Sequence, residues 1–313
     1  MRNRRYEELE ARWRACCDPL PGCKPYLNRR PCRIKAKEGG LPFIELLANR
    51  FPGKLTEEEW LAVFAQGQMI TKDGAEVISD PYLQVRTGDE YVRLLPNWVE
   101  PAVGTDLKVI YEDEVLLVID KPAPMPMHEG GRFCKNTLLS LMEKAWPELD
   151  VRYTHRLDAE TSGVLVCVKG QDYRNAVQKQ FEESKIDKSY LARVQGHPDW
   201  ECKLAEHNVP AEGRSWGKPL EARTEFFVRK INDDGTALVE AQPLTGRTHQ
   251  IRVHLWQEGV PIVGDRLYLP NGERGKVEIA GLDAEPLALR SWKISLFHPV
   301  SGERVSFQAT EEL

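Results

Sequence analysis

Asp158 stands in the stretch Tyr153-Thr154-His155-Arg156-Leu157-Asp158-Ala159-Glu160-Thr161-Ser162-Gly163, with a basic residue before it and turn-forming residues after it. The run Val164-Leu165-Val166-Cys167-Val168 follows at once and reads as a buried strand, so the carboxylate belongs to a loop feeding the core. A loop carboxylate held by a rigid scaffold can be desolvated and oriented, as a nucleophile or general base requires. The plainer reading is an Asp that caps a turn with Thr161 and Ser162. A second stretch favours chemistry: after Pro243 and Gly246 break a strand, Arg247, His249, Arg252 and His254 fall within eight residues. If Thr248 to Leu255 is helical, Arg247 shares a face with Ile251 and Leu255, and His249 and Arg252 lie on an adjacent one. One element would then offer a phosphate fork and a partner for a buried carboxylate, since Arg bonds either group bidentately. The alternative is a solvated helix face.

The elements that must position these groups follow from pattern. From Val109 onward short strands alternate with a few helices, such as Asn175 to Ser184, after which Lys185-Ile186-Asp187 leads into a strand at Lys188-Ser189-Tyr190-Leu191-Ala192. Turn sequences at Asn232–Gly235 and Val300–Glu303 mark hairpins, which predicts an α+β fold with a mainly antiparallel sheet. Upstream, Phe43, Leu46 and Leu47 keep a helical rhythm, and Thr56 followed by Glu59 forms a capping box. Short strands are expected around Met69-Ile70 and Tyr82-Leu83-Gln84-Val85, and Pro96 to Pro101 reads as a linker. The expected division is a basic N-terminal extension over 1–40, a small domain over 41–95, a linker over 96–108 and a catalytic domain over 109–313.

These motifs together resemble the RluA-type pseudouridine synthase family. The family's signature around its catalytic aspartate is similar to His155-Arg156-Leu157-Asp158 with Thr161-Ser162-Gly163, and a later one to Gly246-Arg247-Thr248-His249-Gln250-Ile251-Arg252-Val253-His254. Pro261-Ile262-Val263-Gly264-Asp265 with Tyr268, and the upstream pair Tyr111-Glu112-Asp113 and Leu116 to Pro122, fit as well. Two places depart from the family pattern: Leu289-Arg290-Ser291 stands where Leu-His-Ala is usual, and Met125 to Gly131 replaces the usual loop after Lys121. The resemblance implies a mixed sheet with a central cleft, preceded by a small alpha-L-like RNA-binding domain, and a reaction that turns uridine into pseudouridine. That reaction breaks the bond from ribose to the base nitrogen, turns the uracil and rejoins it through carbon 5. No redox change occurs and no atom is lost, so no cofactor and no metal are expected.

Asp158 is implied as the group that assists uracil departure, by attacking the sugar or by supporting a glycal route. An opposite charge within about 4 to 6 Å must keep it ionised; Arg252 is the implied partner and Arg247 the alternative. Tyr190 corresponds to the family's tyrosine that packs on uracil, against the alternative of a strand aromatic filling core. Arg156 is implied to fill the space left by the extruded base, or else to pair with Glu160 on the surface. His155 and His249 are read as RNA-phosphate ligands or as satisfied structural histidines.

Composition fits a catalytic domain plus a smaller one in 313 residues, 41% of them hydrophobic. A net charge of −5 is unhelpful for binding a polyanion, but residues 1–37 carry eleven Lys or Arg against four Asp or Glu, so RNA contact is expected to be local. Candidates are Arg29, Arg30, Arg33, Lys35 and Lys37. Cys16, Cys17, Cys23 and Cys32 lack paired zinc spacing and are expected to be reduced thiols. The first residues lack the apolar core of a secretion signal, and no apolar run reaches the ~18 residues of a membrane span, so a cytoplasmic protein is expected, a monomer by likeness to the family. Two other classes remain: a glycosidic-bond hydrolase using Asp158 with Glu160 on one strand face, and an RNA-binding assembly factor without catalysis.

Overall fold

The computed structural model describes residues 3–210, 219–275, 279 and 281–313; Met1 and Arg2 of the expected basic extension lie outside the described residues. Two compact units form, one of Met1–Cys23 with Glu100–Leu313 and one of Lys24–Val99. These boundaries differ from the expected ones because the first helix is not an extension. α1 (Arg4–Cys17) buries Leu9 and Trp13 in the larger unit's core, and Trp13 Nε1 donates to the Thr105 carbonyl at 2.7 Å. Its Glu10, also buried, accepts the Val109 N–H at 2.7 Å.

The smaller unit begins with β1 (Tyr26–Arg33), continues through α2 (Phe43–Arg50), α3 (Glu57–Ala65) and β2 (Met69–Thr71), and ends with β3 (Glu90–Trp98). Its antiparallel sheet has the order β1-β3-β2. The helices bury Phe43, Leu46, Leu47, Trp60 and Phe64 against Met69 and Tyr91. Thr56 and Glu59 form the expected capping box at α3. Tyr82 to Val85, expected as a strand, instead serves the start of α2: the Pro81 and Leu83 carbonyls accept the otherwise unpaired N–H groups of Ile44 and Phe43 at 2.9 and 3.0 Å. Pro96 and Asn97, expected as linker, belong to β3. They lie opposite a register shift in β1 between Tyr26 and Asn28, where a residue without an N–H is tolerated.

The larger unit continues with β4 (Lys108–Glu112), β5 (Leu116–Lys121), α4 (Leu138–Ala145), β6 (Val151–Tyr153), β7 (Ser162–Lys169), α5 (Gln171–Glu182) and β8 (Asp187–Gln195). β9 (Cys202–Ala205), β10 (Thr224–Ile231), β11 (Thr236–Pro243), α6 (Gln250–Gln257), β12 (Leu289–Phe297) and β13 (Arg304–Gln308) complete it. Among the described residues ten strands form one sheet in the order β4-β5-β7-β12-β8-β11-β10-β9, with β13 beside β12 and β6 beside β7. β7 and β12 pair in parallel and the other neighbours are antiparallel, which makes the sheet mixed and mainly antiparallel.

β7 is apolar from Gly163 to Val168 because both its faces are covered there. Leu165 and Cys167 join Leu117, Ile119 and the helices α1 and α4 on one side. Val164, Val166 and Val168 join Leu116, Val118 and Val177 of α5 on the other. Each such buried side chain contributes roughly 1.5–3 kcal/mol, so this strand is a firm anchor for the loop that precedes it. Gly163 makes the parallel junction possible: at φ +106° a Cβ there would lie 2.2 Å from the Ser291 carbonyl oxygen.

Candidate active site

The loop from Thr154 to Thr161 runs between β6 and β7 and is fastened along its length. Leu157 plugs into the core, while Arg156 and Asp158 on either side of it face outward. Thr154 donates through N and Oγ1 to the Val166 carbonyl at 3.1 and 2.9 Å, and Thr161 N closes back on the Asp158 carbonyl at 3.1 Å. From beneath, Lys121 ends β5 with a fully buried ammonium that donates to the carbonyls of Pro122, Ala159 and Thr161 at 3.0, 3.3 and 2.9 Å. Burial pushes the Lys121 pKa down to about 7, against the pull of the Asp158 charge. From sequence Lys121 reads only as a strand end; a lysine closing a short, mostly apolar strand just before a proline is the signal that could have marked it.

Asp158 keeps 31% of its side chain exposed, and two groups from the start of α6 approach its Oδ2: Arg252 Nη1 at 3.8 Å and His249 Nε2 at 3.8 Å. Arg252 is the expected partner, but its main bond is elsewhere. Its Nε and Nη2 fork onto Asp265 at 2.7 and 2.8 Å, in a pair with almost no solvent exposure. Burial alone would lower the Arg252 pKa, yet Asp265, with the charges of Asp158 and Glu160 beyond, raises it. Asp265 is itself fixed by the N–H groups of Leu267 and Tyr268, which its Oδ1 accepts at 2.9 and 3.0 Å. This carboxylate is a positioning residue that sequence reasoning does not single out within Gly264-Asp265.

Tyr190 projects from β8, paired in register with Ser291 of β12 and Ala241 of β11. Burial and the neighbouring Asp158 charge push its phenol up to about 12, so it holds its proton at neutral pH; a hydrogen bond with Ser291 opposes the shift. Ser291 thus replaces the family's usual alanine with a hydroxyl that touches the tyrosine and donates to the Val164 carbonyl at 3.0 Å. Arg290, in place of the usual histidine, ties β12 to Asp120 at 2.6 Å and to Ser162 Oγ at 3.1 Å.

The remaining expected residues divide. Arg156 is exposed and makes no ion pair or hydrogen bond among the described residues, Glu160 included. Arg247, the alternative partner for Asp158, is exposed and directs its Nε to the Glu221 carbonyl at 3.2 Å instead. His155 accepts the Val166 N–H on Nε2 at 3.2 Å and stacks on Phe181 at 4.9 Å. Burial, with the Lys188 charge adding, pushes its pKa down to about 3, so it pins the loop to β7 as a neutral ring and offers no cation to a phosphate. His254 is likewise structural, bonded to Thr224 Oγ1 and the His207 carbonyl at 3.0 Å each. Asp158 and Glu160 lie on a loop and not on a strand, so the alternation that would have paired them for hydrolysis does not occur.

Residues 115–257 match the family model described as RNA pseudouridylate synthase. The dual-specificity RNA pseudouridine synthase RluA of Escherichia coli is 32% identical over 212 residues, covering 65% of this chain and 92% of that protein. The ribosomal large subunit pseudouridine synthase D of Neisseria meningitidis is 31% identical, with 76% of this chain and 69% of that protein covered. Among solved structures, human RNA pseudouridylate synthase domain containing 4 is similar at a TM-score of 0.51 and 27% identity, over 64% of this chain and 87% of that one. The chain therefore belongs to the RluA-type RNA pseudouridine synthase family, whose members are isomerases acting on RNA. No helix among the described residues is long and apolar enough to cross a membrane.

Proposed function

We propose that this enzyme isomerises particular uridines of ribosomal or transfer RNA, with Asp158 as the carboxylate that assists departure of uracil. The observation that carries the reading is the approach of Arg252 and His249 to a single oxygen of Asp158, whose charge is also felt by the Tyr190 phenol. Two cation-capable donors stabilise an anion more than a neutral acid, so the arrangement suits a carboxylate that must stay ionised while partly shielded from water. The ribosomal assignment draws on the Neisseria relative, and transfer RNA on the wider family.

Tyr190 keeps its proton and presents a ring on which a flipped uracil packs, and exposed Arg156 fills the gap that the base leaves. Both routes open to Asp158, attack at the sugar carbon and assistance to a glycal, need the same ionised and oriented carboxylate. Residues 24–99 supply additional RNA contacts through the basic strand β1. The test is tritium release from transcripts labelled at carbon 5 of uracil. Wild type should release it and Asp158→Ala should not, while both bind RNA alike; turnover by the alanine variant would remove Asp158 from its role.

A further inference from the structure

His249 has a more defined setting than an RNA-phosphate ligand would need. It stands just before α6 with φ +55°, a left-handed conformation uncommon outside glycine that His, Asn and Asp take more readily than other residues. The contact here is with Tyr268: His249 Nδ1 and Tyr268 Oη are 3.2 Å apart, and the rings meet edge to face at 85°. Tyr268 is almost fully buried, with Trp256 at 5.6 Å and the Arg252 guanidinium 5.3 Å over its ring. The other ring nitrogen of His249, Nε2, faces Asp158 Oδ2 at 3.8 Å.

Counting protons fixes what the histidine presents. A neutral imidazole with its proton on Nδ1 would turn a bare lone pair toward the carboxylate, which is repulsive. If the Tyr268 hydroxyl donates to Nδ1, the proton sits on Nε2 and faces Asp158; in the cation both nitrogens carry one. In either favourable state Asp158 meets an N–H.

We propose that Tyr268 and His249 act as a positioning pair for the reaction: the buried hydroxyl selects the imidazole state that turns an Nε2–H toward Asp158, and this donor, beside Arg252, orients the carboxylate. The proposal rests on the assignment of Asp158 to the chemistry. The charged and titratable groups around Asp158 are Arg252 and His249 at the start of α6, Tyr190 on β8, Lys121 at the end of β5 and Glu160 on its own loop.

The experiment compares wild type, Tyr268→Phe, His249→Asn and the double variant by tritium release from labelled ribosomal and transfer RNA. Asn is chosen because it tolerates the left-handed backbone. Tyr268→Phe keeps the ring that Trp256 and Arg252 pack on, so it remains decisive if His249→Asn does not fold. Tyr268→Phe should lower kcat about tenfold with KM within twofold, and the double variant should be no slower than His249→Asn alone within twofold, since the hydroxyl works only through the imidazole. Wild-type kcat in Tyr268→Phe, additive losses in the double variant, or a rise in KM with kcat unchanged would overturn the proposal. Absence of release by wild type on every RNA would instead overturn the assignment of Asp158 and its reaction.

Discussion

Lys121 and Asp265 show how two buried charges hold the reacting groups without touching a substrate. The Lys121 ammonium has three protons and meets three carbonyls, two of them in the loop that carries Asp158. Lys121→Met would take this donor from the Pro122 and Thr161 carbonyls at about 1–3 kcal/mol for each buried group, while Ala159 keeps the Met125 N–H at 2.7 Å. Urea unfolding should show a loss of a few kcal/mol, and tritium release should fall with the loosened loop. The same residue gives stability a pH dependence. Its pKa falls from 10.5 to about 7 on folding, so between those values the unfolded chain binds the proton more tightly and stability climbs as pH rises. That share of the climb should vanish in Lys121→Met. Asp265→Asn breaks the buried fork on Arg252 and should cost about 3–5 kcal/mol in thermal or urea unfolding, with Arg252 released from its direction toward Asp158. Residue type and spacing bring Asp158 and Arg252 to attention, because a loop carboxylate feeding a buried strand and four basic or imidazole side chains within eight residues stand out. They do not reveal Asp265, since the partner of a buried arginine is decided by how the chain after α6 returns.

Among elements, β7 is legible because a five-residue apolar run reads as a covered strand, whereas the helix considered over Thr248 to Leu255 begins only at Gln250 and leaves Arg247 off its faces. The failures have a common cause. Tyr82 to Val85 has strand composition, yet the Leu83 carbonyl is taken by Phe43 of α2 and Val85 bonds Gly40 and Leu41, so only an isolated bridge between Gln84 and Pro42 forms. Pro96 has linker composition, yet a register shift in the facing strand admits it to β3. In both cases a tertiary partner outside the local window decides. Gly163 is the element-scale position most open to test. An alanine there combines a positive φ with a Cβ 2.2 Å from the backbone of Ser291, and no flexible side chain can yield. Gly163→Ala should destabilise by more than about 3 kcal/mol in thermal unfolding and part β7 from β12, since strain and overlap add.

At the scale of the whole molecule, charge is segregated. Residues 24–37 contain six Lys or Arg and no Asp or Glu, in a chain whose net charge is −5. Three of the six fall on β1 and two follow it, and alternation puts Arg29 and Arg33 on one exposed face of this edge strand. Arg33 approaches Glu90 only at 3.9 Å on the surface, a pair worth little, and Arg29 makes no ion pair among the described residues. Two roles compete for such a strand. Basic side chains on an edge discourage pairing with another chain, and they also bind phosphate. Salt dependence separates them, because every phosphate left without its cation takes about 0.7 to 0.9 off the slope of log affinity against log salt. The double substitution Arg29→Ser with Arg33→Ser should flatten that slope by about 1.5 and weaken RNA binding at low salt. The rate at saturating RNA should stay unchanged, since neither residue has a part in the chemistry proposed for Asp158. An unchanged slope with a new tendency to self-associate would assign these arginines to protection of the edge instead, and would leave RNA recognition to the unit that carries Asp158.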